Sequence, residues 1–352
     1  MFLVGDVGGT KVNLALCEVE AGPAPGRGGP ESHFSVRVHS PMRYSSPKFK
    51  GLAEVILRYV AETHAPVREL EAACFGVPGP VVEGKVPTVN LPWDLDAADV
   101  FSEVSRSLPL RKLLLINDLE ATAHGLRTLS EGRGLLSLRK GTPVFAANQA
   151  LLAPGTGLGE AVLFWDGHRH VVSASEGGHT DFGPQDEEQV ELLRWLWPRH
   201  KHVSWEHVAS GPAIHRIYRF LKETGREKEP SDLAELFAQP DFDPSPTIGH
   251  RAQLEPSGIC ARTMDLWMFC LGAEAGNLAL KTVSRGGVYI GGGIVPNIID
   301  LLRRPAFFRG LDSKGRMSPL VHAMPVLAVT DPYAALYGAA LAARKAIDSA
   351  AA

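Results

Sequence analysis

One device occurs twice in this 352-residue chain, and it limits the fold more than any other feature of the sequence. Phe2-Leu3-Val4 runs into Gly5-Asp6-Val7-Gly8-Gly9-Thr10, and Val12 to Val19 then alternates as a half-buried strand does. Further on, Ala150-Leu151-Leu152-Ala153 runs into Pro154-Gly155-Thr156-Gly157-Leu158-Gly159, and Ala161 to Trp165 resumes the apolar run. Strand, glycine turn, strand, used at 2–19 and again at 150–165, reads as two related α/β halves. Neither turn is a P-loop, because the GxxxxGK[ST] spacing is absent. Neither fits the dinucleotide pattern, because each turn leads into a strand and not a helix.

The intervening segments fit the same class. Leu52, Val55, Ile56, Tyr59 and Val60 share one face of a helix predicted near 48–63. Two buried strands, Ala72 to Val77 and Leu113 to Ile116, end in Gly76-Val77-Pro78-Gly79-Pro80 and in Asn117-Asp118, and a helix is predicted from Asp118. A helix over about 261–284 precedes strand Val288 to Ile290 and Gly291-Gly292-Gly293. The last strand, Pro325 to Val329, leads to Asp331-Pro332, read as N-cap and first residue of a closing helix that runs from Ala334 to about Ile347. Residues 21–31 are rich in Gly and Pro and read as a long exposed hairpin loop.

Composition excludes several classes. The length suits two domains, at roughly 100–200 residues each. With 45% hydrophobic and 21% charged residues there is enough apolar material for a core without disulfides. A net charge of -3 argues against a dedicated nucleic-acid binder. The four cysteines, Cys17, Cys74, Cys260 and Cys270, form no CxxC pair and are expected to be reduced and packed. The N-terminal residues lack the basic region of a signal peptide, and no apolar run reaches the ~20 residues of a membrane span. The expected location is cytoplasmic.

The residues able to carry chemistry sit at the turns. Paired glycines in Gly5 to Thr10 let backbone N–H groups approach a phosphate closely, and the Thr10 hydroxyl adds a donor. Asp6 repels phosphate, so its sensible role is to hold Mg²⁺ through water. A plain type I′ hairpin is the competing reading. A second turn with Thr156 in the other half favours the phosphate reading. Asn117-Asp118 follows a buried strand, where α/β sheets present working groups, and transfer to an alcohol needs a carboxylate to take the hydroxyl proton. The competing reading makes Asp118 a helix N-cap. Glu176-Gly177-Gly178-His179 sets an acid and an imidazole around two glycines that permit close approach of a ligand. Glu206 is a further acid; both it and His179, one of 13 histidines, are equally compatible with a surface role. Gly291-Gly292-Gly293 would let a base or ribose lie against the backbone, or simply turn a strand into a helix.

In order along nearly the whole chain, these segments resemble the bacterial glucokinase family of the actin-like ATPase and sugar-kinase superfamily. The resemblance adds Leu14-Ala15-Leu16-Cys17, Asn90 with Trp93, Thr180-Asp181-Phe182, Ser210-Gly211-Pro212, Gly276-Asn277-Leu278-Ala279-Leu280 and Ile294-Val295-Pro296. It implies two actin-like ATPase (ribonuclease H-like) α/β domains around a central cleft: a small one, 1–127 with 331–352, and a large one, 128–330. It implies phosphorylation of glucose at O6 by Mg-ATP, with Asp118 as catalytic base. Asn117, Gly157, Glu176, His179 and Glu206 match glucose contacts, while Gly5, Asp6, Val7, Gly8, Gly9, Thr10, Thr156, Gly292 and Gly293 fall to the nucleotide. It further implies a homodimer in the cytoplasm.

Lys11 stands where many relatives carry Asn, and Gly-Gly-Thr-Lys is typical of the ROK branch (repressors, open reading frames, kinases). ROK kinases carry a cysteine cluster for zinc soon after their Gly-His motif, whereas no cysteine lies between Cys74 and Cys260 here, so zinc is not expected. Competing functions are a kinase for another hexose, a sugar-responsive repressor, and a non-catalytic sugar sensor. A repressor needs an N-terminal helix-turn-helix ahead of a hairpin that here begins at residue 2.

Overall fold

The computed structural model describes residues 1–22, 33–87 and 91–351. Most of the predicted hairpin loop at 21–31, and Asn90, lie outside the described residues. The chain forms two compact units, Met1–Leu135 with Trp165–Ala174 and Asp331–Ala352, and Leu136–Phe164 with Ser175–Thr330.

The first unit is built on a five-stranded sheet in the order His33–Ser45, Lys11–Gly22, Phe2–Val7, Ala72–Val77, Lys112–Asn117. The first three strands are antiparallel, and the last three run parallel. Alternation along Phe2–Val7 sends side chains to two cores. Leu3 and Val7 join Leu14, Leu16 and the helices Leu52–Thr63 and Ala97–Val104 on one face, while Phe2 and Val4 join Ala15, Cys17 and the closing helix Ala334–Ala351 on the other. The strand predicted as half-buried over Val12 to Val19 is instead buried on both faces from Leu14 to Cys17, because both faces of the sheet are covered.

The second unit repeats this scheme. Strands Leu158–Trp165, Gln149–Pro154, Gly287–Ile290 and Val326–Val329 are neighbours in that order, antiparallel first and then parallel. Lys11–Gly22, Phe2–Val7, Ala72–Val77 and Lys112–Asn117 follow the same order in the first unit. The spine of its core is helix Ile259–Thr282, buried on nearly all sides, with Trp267 fully enclosed and its indole N–H donating to the Ser210 carbonyl at 2.8 Å. All four cysteines are buried free thiols. Among the described residues no helix is long and apolar enough to cross a membrane.

One helix end differs from expectation, while the helix predicted from Asp118 starts there, with a cap other than the competing reading offered. Asp331-Pro332 precedes the closing helix as a turn: Asp331 Oδ1 accepts the Tyr333 N–H at 2.8 Å and Oδ2 accepts the Tyr337 hydroxyl at 3.2 Å, and the helix begins at Ala334. The N-cap of helix Asp118–Gly125 is Asn117, whose Oδ1 accepts from Leu119 N at 2.9 Å and Glu120 N at 3.2 Å. A cap of this kind contributes about 1 kcal/mol. That helix lies against the closing helix at backbone contact distance. A Cβ on Gly338 would sit 1.7 Å from the Ala121 carbonyl oxygen, and one on Gly125 would sit 1.9 Å from that of Ala334. The seat of Asp118 is therefore set by a glycine-to-glycine crossing.

Candidate active site

In the first unit three parallel strands end side by side. Asp6 is in register with Gly76, and Val77 with Asn117. A Cβ on Gly76 would lie 3.4 Å from the Asp118 Cα and 3.8 Å from the Gly5 carbonyl oxygen, so the glycine hairpin and the Asn-Asp pair share one sheet edge. Asn117 is almost fully buried; besides capping, its Nδ2 donates to the Gly79 carbonyl at 3.1 Å. Its side-chain oxygen is committed to the helix, which leaves one amide N–H for a ligand. Asp118 Oδ1 accepts the Leu119 N–H at 2.8 Å, an interaction that fixes the carboxylate at the first residue of the helix.

The hairpin is not the type I′ turn that Gly-Gly favours, since that turn needs positive φ at both central residues and neither Gly9 nor Thr10 has it. Gly8 N–H donates to the Lys11 carbonyl at 2.8 Å within the turn. Ser46, fully buried, clamps it from the side: its N–H donates to Thr10 O at 3.1 Å and its hydroxyl to Gly8 O at 2.6 Å. The Ser46 carbonyl in turn accepts the Trp93 indole N–H at 3.3 Å. Gly5 and Val7 belong to the core, where a Cβ on Gly5 would strike Leu14 at 2.6 Å and Phe75 at 2.7 Å, so only their backbone is left to meet a nucleotide.

Asp6 is held by a relay across the three antiparallel strands. Arg43 Nε donates to Asn13 Oδ1 at 3.0 Å, and Asn13 Nδ2 donates to Asp6 Oδ2 at 3.2 Å. Burial pushes the Asp6 pKa up, while Asn13, Lys11 and Arg43 act to lower it. Neither Asn13 nor Arg43 was a candidate from the sequence. The signal was available only as register: Asp6 pairs with Asn13, and Asn13 with Arg43.

The second unit gathers the acid-rich loops. In the turn after Gln149–Pro154, Gly155 N–H donates to Gly157 O at 2.9 Å, and Gly211 N–H donates to Gly155 O at 2.8 Å, which seats the turn on the start of helix Gly211–Glu223. Glu206 Oε2 accepts the Leu158 N–H at 3.1 Å, and a Cβ on Gly157 would lie 2.6 Å from the same oxygen. Gly157 and Glu206 are thus brought together. Thr156 is exposed at the tip. Burial lowers the Arg216 pKa, and the Glu206 charge opposes that shift.

Glu176 and His179 form a second pair, with Nε2 and Oε2 3.7 Å apart and both side chains more than half exposed. Backbone bonds lace their loop to the Glu206 segment: Trp205 N–H donates to Thr180 O at 3.1 Å and Phe182 N–H to Val203 O at 3.0 Å. His207, beside Glu206, is held neutral, its pKa lowered to about 4 by burial and then by His200 and Arg216. Its Nδ1 accepts the Ser204 N–H at 3.1 Å.

The structure gives the glycines of Glu176-Gly177-Gly178-His179 a packing role that the sequence did not suggest. A Cβ on Gly178 would sit 2.0 Å from the Leu158 carbonyl oxygen, and one on Gly177 2.0 Å from Glu160 Oε2. Both faces are turned to strand Leu158–Trp165. Gly292, at φ +91, would place a Cβ 2.5 Å from the Pro154 carbonyl oxygen, so it packs the second turn; a Cβ on Gly293 would meet nothing within 4 Å. Among the described residues no group of three or more His, Cys, Asp or Glu side chains is arranged to hold a metal.

The strand order is used twice, with a carboxylate at one sheet edge and an acid–imidazole pair on a loop of the other unit. The chain belongs to the glucokinase family, whose model matches residues 3–346. A glucokinase of Trichormus variabilis is 35% identical over 356 residues, spanning 98% of this chain and 99% of its own length. The crystal structure of a glucokinase from an Antarctic psychrotroph gives a TM-score of 0.77 at 29% identity, over 98% of both chains. A ROK family glucokinase from Streptomyces griseus, solved with glucose and AMPPNP, shares the fold with a TM-score of 0.64 at 22% identity, over 97% of this chain and 99% of that one.

Proposed function

We propose that this protein phosphorylates D-glucose at O6, using ATP and yielding glucose 6-phosphate and ADP, with Asp118 as the base. The observation that supports Asp118 as the base is its place at the first residue of a helix capped by Asn117, on the sheet edge that it shares with the glycine hairpin. In this reading Asp118 accepts the proton of the 6-hydroxyl as its oxygen attacks the γ-phosphorus in line. Asn117 offers its remaining amide N–H to the sugar, and Glu176, His179, Glu206 and the Gly157 backbone hold the other hydroxyls. Charge-assisted bonds of this kind contribute about 1.5–3 kcal/mol each.

The nucleotide phosphates fall to the two turns. Gly8 N–H is used inside its own turn, so Gly9 and Thr10 supply the donors there, with Thr156 from the second turn. Gly5, Asp6, Val7, Gly8, Gly292 and Gly293 complete the nucleotide set, Gly293 as the position with open space beside it. A single carboxylate beside a phosphate turn suits Mg²⁺, which keeps most of its waters and takes few protein ligands; the residue that would hold it, through water, is Asp6. The ion would supply charge neutralisation of the phosphates.

The finer fold reading is two actin-like ATPase domains, 1–127 with 331–352 and 128–330; the repeated strand order supports the duplication, while the compact units differ from these bounds in placing 128–135 and 165–174 with the first. We place the enzyme in the cytoplasm as a homodimer. A panel of hexoses in a coupled ADP-release assay tests the acceptor. Glucose is expected to give the highest kcat/KM, and a clear preference for mannose, fructose or an N-acetylhexosamine would overturn it.

A further inference from the structure

We propose that Glu160 is a positioning residue for the sugar acceptor: with Glu274 it forms a proton-sharing pair that sets the height of the Glu176–His179 loop. This rests on the reading of Glu176 and His179 as sugar ligands. Glu160 lies on strand Leu158–Trp165 at 1% exposure, and Glu274 lies on helix Ile259–Thr282 at 0%. The Glu274 carboxyl acts, after burial, to raise the Glu160 pKa, and Glu160 Oε1 and Glu274 Oε1 are both buried with no other hydrogen-bond partner among the described residues. Two buried carboxylates in contact cannot both carry charge cheaply, so one proton stays between them.

The charged and polar groups around the pair are few and specific. On the helix, Asn277 Nδ2 donates to Glu274 Oε2 at 2.8 Å, and Lys281 Nζ stands 3.6 Å from Glu274 Oε1. From the segment after helix Pro305–Asp312, Lys314 Nζ donates to Asn277 Oδ1 and to the Ala273 carbonyl, both at 2.8 Å. Burial, then the Glu274 charge, push the Glu160 pKa up to about 8.

On its other side Glu160 meets the loop. A Cβ on Gly177 would lie 2.0 Å from Glu160 Oε2 and 2.6 Å from its Cδ, and one on Gly178 would lie 2.0 Å from the Leu158 carbonyl oxygen. The α-carbon of Gly177 therefore rests on the Glu160 carboxyl, one residue from Glu176 and two from His179. A neutral, hydrogen-bonded acid is a floor of fixed height; a shorter side chain lets the loop drop, and a taller Gly177 lifts it.

Steady-state kinetics of Glu160→Gln, Glu160→Ala, Gly177→Ala and the double variant Glu160→Ala/Gly177→Ala test this, with a thermal melt for each. Glu160→Gln keeps the donor to Glu274 and should stay near wild type. Glu160→Ala should raise KM for glucose about tenfold while kcat and KM for ATP hold within about twofold. Gly177→Ala should raise KM for glucose too, and removing Glu160 should relieve it, so that the double variant falls at least about threefold short of the product of the singles. An unchanged KM for glucose in folded Glu160→Ala overturns the proposal. If Glu160→Ala does not fold, a near-normal KM for glucose in Gly177→Ala overturns it instead. Wild-type protein with no glucose phosphorylation would refute the sugar-ligand reading itself, a result distinct from either.

Discussion

The two glycine hairpins sit on the same strand order and differ at their tips. The first, in the N-terminal unit, has an acid on the strand leading into the turn, Asp6, wired through Asn13 to Arg43, and its carbonyls are clamped by Ser46. The second has no acid in the turn; its Gly155 carbonyl docks on Gly211 and its far side on Glu206, an acid supplied from another segment. The neighbouring strand ends diverge too. One leads into Asn117-Asp118 and a capped helix, the other leads from Val326–Val329 into Thr330. On the proposed reading the metal and proton chemistry rests on Asp6 and Asp118 of the first unit, and most of the sugar contacts, Gly157, Glu176, His179 and Glu206, come from the second, with Asn117 of the first. The scaffold is common, and the chemistry lies in what each tip is allowed to carry.

Variants that break this contrast should do so in different kinetic constants. Asp118→Asn should lower kcat about 10²–10⁴-fold with little change in glucose affinity, the loss expected for a general base; turnover near wild type would remove Asp118 from that role. Glu206→Gln should cost about 10–100-fold in kcat/KM, mostly through KM for glucose, as a weakened charge-assisted bond does. Asp6→Asn should raise the Mg²⁺ concentration for half-maximal rate about tenfold, on the scale of one ligand interaction, whereas Thr156→Val should leave that concentration alone. Equal shifts in both would mean the turns do not divide the work as described.

The smallest effect concerns pH. Burial and the Glu274 charge push the Glu160 pKa up from its reference value of 4.5 to about 8, so over that window the native state holds a proton that the unfolded chain has released. Stability then falls as pH rises from about 4.5 to about 8 and levels off above it. Glu160→Gln has no such proton, and its melting temperature should decline less over this range than that of wild type. Parallel curves would mean that Glu160 is not protonated in the native state.

Much of the scaffold was legible from residue type alone. Gly5 to Thr10 and Gly155 to Gly159 were visible because glycine clusters between apolar runs have few other uses, and Asn117-Asp118 because it ends an unbroken run of apolar residues. What escaped depends on pairing across distance. Asn13 looks like an outward residue of a strand until register sets it opposite both Asp6 and Arg43. Glu160, between Gly159 and Ala161, carries no sign in its neighbours that it is buried, with Gly177 against its carboxyl and Glu274 raising its pKa. The glycines at 177 and 178 could be read as permissive but not for whom, since a missing Cβ does not say which neighbour needs the space. Asn117 and Asp118 both suit a cap; the backbone turn decided between them.

The proposed reaction transfers the ATP γ-phosphoryl group to the 6-hydroxyl of glucose. Phosphorus NMR of a reaction containing the purified protein, glucose and Mg-ATP tests it most directly. One equivalent of glucose 6-phosphate is expected for each ADP formed. ADP release without a phosphorylated sugar, or phosphate on any other hydroxyl, would contradict it.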